Sequence, residues 1–134
     1  MKKVLAILLA ISMVLCFAAC GGNDAASDQT DSEYVIEKGT LVVGITDFAP
    51  MDYKEDGSDE WIGFDADMAK IVAEKLGVEI EFVEIDWDNK IMELDSKYID
   101  VVWNGMTLTD EVTSAMECTV PYCNNAQVVV VPAK

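Results

Sequence analysis

The side chains with the clearest recognition chemistry lie in one stretch, Tyr98-Ile99-Asp100-Val101-Val102-Trp103-Asn104-Gly105-Met106-Thr107-Leu108-Thr109-Asp110-Glu111. It opens as an apolar run with strand character, Ile99 to Trp103, broken by one Asp. Asn104-Gly105 ends the run, at residues where a backbone turns with little steric cost. Thr107 supplies a hydroxyl, and Thr109-Asp110-Glu111 reads as a helix start with a hydroxyl N-cap and two carboxylates in the first turn. A strand that breaks at glycine and feeds a helix sets N–H groups and hydroxyls at the carboxyl end of a sheet, where open α/β sheets take small ligands. The same residue types also build an ordinary strand-to-helix turn.

The elements that must position this stretch come from a chain of 134 residues, enough for one modest domain. Twenty-five acidic residues stand against nine basic ones, for a net charge of -16. Every basic residue is Lys, and Arg and His are both absent. Nucleic-acid binding is excluded in practice, because no basic face exists to neutralise phosphates. Histidine catalysis and His-containing metal sites are excluded outright. The acidic excess is explained by a well-solvated surface.

Met1-Lys2-Lys3 and the apolar run Val4 to Leu15 form a secretory signal, too short to span a bilayer. Small residues precede Cys20 in Phe17-Ala18-Ala19-Cys20-Gly21-Gly22, the pattern of a lipoprotein cleavage site. The expectation is a signal peptide over residues 1–19 and a diacylglyceryl group on Cys20. Two acyl chains would hold the protein at the extracytoplasmic face of the cell membrane. Ordinary cleavage beside an incidental Cys is the alternative. Residues 20–37 are expected to be a flexible linker, since Gly21 to Glu33 offers almost nothing to bury. The solute-facing domain is assigned to residues 38–134.

Within it, Thr40 to Ile45 reads as the first strand, followed by a loop stiffened at Pro50. Tyr53 and Trp61-Ile62 flank a polar hairpin tip whose acids lack calcium-loop spacing. A helix follows, with Asp65 as N-cap, Asp67 in its first turn, an apolar stripe of Met68, Ile71, Val72 and Leu76, and Gly77 as its stop. Val78 to Ile85 alternates as a second strand, Asn89 to Lys97 forms a short helix, and Ile99 to Trp103 is the third strand. A helix from Thr109 to about Met116 and an apolar strand over Gln127 to Val131 complete the reading. Strand, helix, strand, helix, strand predicts an α/β fold with a mostly parallel sheet covered by helices on both faces. Cys118 and Cys123 form a disulfide in an exporting context or serve as two small buried apolar side chains; their separation permits a bridge without favouring it.

Several stretches then resemble the family 3 solute-binding proteins, the amino-acid receptors of ATP-binding-cassette importers. They are Gly39-Thr40-Leu41-Val42-Val43-Gly44, Gly63-Phe64-Asp65-Ala66-Asp67-Met68-Ala69, Glu74-Lys75-Leu76-Gly77-Val78, Asp86-Trp87, Ile99-Asp100, Gly105-Met106-Thr107-Leu108-Thr109 and Pro121-Tyr122. The resemblance implies a type II periplasmic-binding-protein lobe that closes with a second lobe on an amino acid; the second lobe is expected to be missing from this chain. It implies ligand contacts at Asp47 and Phe48, stacking on Trp87, a carbonyl from Gly105 for the ammonium, and a hydroxyl and N–H from Thr107 for the carboxylate. Asn104, Met106, Thr109 and Val112 complete the expected site, with no cofactor, no metal and no catalytic residue. ABC permease subunits are the implied protein partners. Three positions depart from the family pattern: Val112 replaces the arginine that grips the ligand carboxylate, Val120 replaces an acid, and Lys97 replaces a turn glycine. A dehydratase of the same fold is a competing function, with Asp47 as its one candidate acid; a ligand-sensing module is another.

Overall fold

The computed structural model describes residues 29–126 and 128–133. The signal peptide, Cys20 and Gln127 lie outside the described residues. The compact unit begins at Asp31, earlier than the sequence suggests, because Asp31–Lys38 is a helix, α1, and not the end of a linker. Its polar composition hides it: Val35 is its one fully buried residue, with Tyr34 packed beside the same core. Asp31 and Glu33 in the first turn and Lys38 in the last suit the helix dipole.

Three parallel strands follow in the order β2-β1-β3, with β1 (Thr40–Ile45) in the centre, β2 (Glu79–Glu84) and β3 (Val101–Val102) at its sides. Thr40 pairs with Glu79 and Ile45 with Glu84; Val43 pairs with Val101. The expected third strand spans Ile99 to Trp103, whereas the ladder itself is two residues long. The run is nonetheless extended along β1, since the Asp100 and Trp103 N–H groups donate to the Val42 and Gly44 carbonyls. Asp100 also accepts from the Val42 N–H at 2.7 Å and from Lys38 at 2.6 Å. That carboxylate clamps α1, β1 and β3 together.

One core cluster joins Val35, Leu41, Val43, Ala69 and Ala73; a second joins Ile45, Trp61 and Ala66. Both lie against α2 (Phe64–Leu76), which Gly77 ends in a left-handed turn as its sequence suggests. The packed stripe of α2 differs from the one expected. Ala66, Ala69 and Ala73 are buried, whereas Ile71 is exposed. Small residues let the helix approach the sheet closely, and the larger Val72 and Leu76 pack at the flank. Elsewhere on β1, Gly44 is needed because a Cβ there would lie 2.5 Å from Ile99 Cδ1 and 3.2 Å from Ile85 Cδ1.

Trp87–Asn89 is a 3-10 turn, α3 spans Lys90–Asp95 and α4 spans Asp110–Ala115. Val128 to Val131, expected as a strand, is irregular and between 72% and 90% exposed. No described strand lies beside it, so its β propensity has nothing to pair with. Cys118 and Cys123 are both free thiols, and Cys123 is exposed, so neither expectation for that pair holds.

Candidate ligand-binding groove

Each strand delivers residues to one place as it ends. β1 runs into Thr46, β2 reaches Trp87 within a few residues, and β3 leads to Asn104-Gly105-Met106-Thr107. Together with Phe48, Lys90, Thr109, Glu111 and Val112 they line a groove of about 410 Å³ at the carboxyl edge of the sheet, the place where open parallel sheets hold ligands. The structure thus brings together eight of the nine positions named from sequence: Phe48, Trp87, Asn104, Gly105, Met106, Thr107, Thr109 and Val112. Asp47 is exposed and does not line the groove.

Local bonding explains how these residues are held. Asp86 accepts from the Asp88 N–H at 3.0 Å, closing the 3-10 turn that presents Trp87. Lys90 Nζ lies 4.8 Å from the Trp87 ring centroid and donates to the Trp87 carbonyl at 3.1 Å. Asn104 is buried, donates from Nδ2 to Thr46 Oγ1, and accepts from the Gly105 N–H at 2.9 Å. Gly105 lets the turn approach Phe48 closely, since a Cβ would sit 2.8 Å from Phe48 Cε1 and the ring would have to shift. Thr109 caps α4 as expected, accepting from the Val112 N–H at 3.3 Å. Val112 is buried, at 6% exposure. Asn125 donates to the Thr107 hydroxyl at 2.8 Å.

Sequence reasoning passed over Thr46, Lys90 and Glu111. A signal for Lys90 was present: it follows Trp87 by three residues, one helical turn, the spacing at which side chains share a face.

A second set of polar groups lies away from the groove lining, at the start of α2. Asp65 is not an N-cap. The Phe64 and Asp65 N–H groups donate to the Pro50 and Met51 carbonyls, so loop carbonyls and not the Asp65 side chain meet these first-turn donors. The freed Asp65 carboxyl turns inward to 0% exposure and accepts from the Tyr122 hydroxyl at 2.7 Å. Asp67 stays outside, 3.7 Å from Lys70. Asp52 is also 0% exposed, and both of its oxygens lack a hydrogen-bond partner. Burial, reinforced by the Asp65 charge, pushes Asp52 up to about 7, against the lowering effect of the nearby Ala66 N–H, which makes no regular hydrogen bond to it. Burial raises Asp65 too, against the lowering effect of the Tyr122 bond. Tyr122 is raised by its burial and by the acceptor it faces.

Residues 41–134 match the model of the bacterial extracellular solute-binding proteins, family 3. The chain belongs to that family. It is 38% identical over 112 residues to the arginine-binding extracellular protein ArtP of Bacillus subtilis, covering 83% of this chain and 40% of that protein. It is 34% identical over 117 residues to the L-cystine-binding protein TcyA of the same organism, covering 82% and 44%. Among solved structures, an ancestral cyclohexadienyl dehydratase superposes with a TM-score of 0.66 at 35% identity, over 71% of this chain and 39% of that one. The chain therefore spans less than half the length of these relatives. Its parallel sheet with flanking helices is part of a lobe of the periplasmic-binding-protein type, as the sequence implied.

Proposed function

We infer that this family 3 chain provides one wall of a binding site for an amino acid or similar small polar solute, as the substrate-binding component of an ABC importer. The observation that carries the reading is the groove itself, where an aromatic face, hydroxyls and turn backbone from three strand ends converge. One side of the Trp87 ring carries Lys90, and the rest of its π surface lining the groove is offered to a cationic or planar group. The Gly105 N–H is taken by Asn104, and no described hydrogen bond engages the Gly105 carbonyl, which can accept from a ligand ammonium. Thr107 accepts from Asn125, which leaves its own proton for a ligand oxygen. A dehydratase reading gains nothing from the geometry: Asp47 is outside the groove, and the raised carboxyl of Asp52 is buried away from its lining. The lipid on Cys20 and the permease partner belong to the same proposal, supported by the leader sequence and the family; an unmodified Cys20 in membrane-extracted protein would remove the anchor.

Titration of the purified protein with L-arginine, L-histidine and L-cystine, followed by calorimetry, tests the reading. Saturable binding of at least one is expected. Replacing Trp87 with Ala should weaken it by roughly five- to tenfold, the magnitude of about 1–1.4 kcal/mol for a cation over an indole. No binding of any of the three would defeat the reading.

A further inference from the structure

Resting on the amino-acid reading, we propose that Lys90 is the residue that holds the ligand's carboxylate in this groove, in place of an arginine. The chain contains no Arg and no His, so any fixed positive charge must come from a lysine. Most of the described lysines are engaged elsewhere. Lys38 is paired with Asp100 at 2.6 Å, Lys54 with Glu84 at 3.4 Å, and Lys70 with Glu60 at 3.4 Å. Lys97 stands over the Tyr34 ring, and Lys75 lies in the last turn of α2. Lys90 alone among the described lysines lines the groove.

Its own bonding leaves it available. An ammonium has three donors; one goes to the Trp87 carbonyl, and the ring below restrains the stem. Lys90 belongs to no ion pair among the described residues, although Glu111 lines the same groove. An ammonium held in a groove without a carboxylate partner is a site for an anionic group. The neutral alternatives are weaker. Val112 brings only an apolar side chain, and its N–H is already bonded to Thr109. Thr107 and Thr109 keep one hydroxyl proton each, which can complete the coordination of a carboxylate without neutralising it. Lys90 supplies the charge, and the two hydroxyls supply the orientation.

The test compares amino acids with amines that differ only by the carboxylate: L-arginine with agmatine, L-histidine with histamine, L-cystine with cystamine. Each is titrated into the natural protein, Lys90→Met, which keeps the stem over Trp87, and Lys90→Arg. Lys75→Met, remote from the groove, controls for the change in net charge. The expected result is a loss of roughly ten- to hundredfold in amino-acid affinity for Lys90→Met. Amine affinity should be unchanged or higher, Lys90→Arg should restore most of the loss, and Lys75→Met should change nothing. Equal losses for amino acid and amine, or no loss, would overturn the assignment while leaving the amino-acid reading intact. Failure of the natural protein to bind any of the amino acids would overturn that reading, and the assignment with it.

Discussion

Asp52 and Asp65 place two carboxyls in the same buried region at the start of α2, and the only described bond to either side chain comes from the Tyr122 hydroxyl. The folded protein therefore holds a proton that the unfolded chain would release. An unfolded Asp titrates at about 3.9, whereas Asp52 in the fold titrates at about 7. Between those values the native state binds more protons than the unfolded state, so stability falls as pH rises. The loss is complete above about 7. Below the unfolded value both states are protonated and the site contributes no slope. Thermal melts at pH 5 and pH 7.5 should show a lower Tm at the higher pH, by several degrees, given that about 1 kcal/mol moves a domain of this size by roughly 4–8 °C. Asp52→Asn should melt above the natural protein at pH 7.5 and remove most of the difference between the two pH values. A natural protein that gains stability across the same interval would contradict the assignment. None of this was legible beforehand, because Met51-Asp52-Tyr53 carries no periodicity and Asp65 fits an N-cap pattern that the Pro50 and Met51 carbonyls make unnecessary.

At the scale of elements, periodicity worked where one face meets the core and the other meets water. β2 alternates, with Ile80 and Phe82 packed against the core clusters and Glu79 and Glu81 exposed. Gly77 stops α2 for a local reason that needs no tertiary context. The sequence failed where tertiary contact decides. α1 is ordered through Val35, Tyr34 and the Lys38–Asp100 pair, and that partner lies 62 residues away. Val128 to Val131 has strand propensity but no described strand beside it. Lys97 is a case where a departure from family pattern read from sequence has a visible backbone consequence: it adopts φ 59°, the left-handed region that glycine occupies freely. Lys97→Gly should raise stability by about 0.5–1 kcal/mol in denaturant melts, offset in part by loss of the Lys97 contact with Tyr34. A destabilised variant would mean that the ring contact outweighs the strain.

For the whole molecule, the groove's backbone and neutral residues could be read from the chain, and its charges could not. Asn104 to Thr107 stand out through the Gly and hydroxyl pattern after an apolar run. Lys90 and Glu111 look like ordinary surface charges on short helices until the strand ends converge around them. The apolar run Val128 to Val131 is exposed on a molecule of net charge -16, and general charge repulsion does not protect a local uncharged β segment from pairing with its copy. Light scattering of the natural protein should show concentration-dependent association, and Val129→Asp with Val130→Asp should reduce it. Equal scattering by both would place the association, if any, elsewhere.

The order of the strands also sets an order in time. β1 is central, but the residues that flank it are made later: Glu79 to Glu84 on one side, Val101 and Val102 on the other. Until residue 100 exists, Lys38 has no Asp100 and the Val42 N–H lacks that carboxylate. Pairings between such distant segments carry a loop-closure cost before any contact repays it, and this slows folding. For a chain read as exported, the delay has a use: a polypeptide threaded through a membrane from its N-terminus cannot close this sheet until Val101 and Val102 have been delivered.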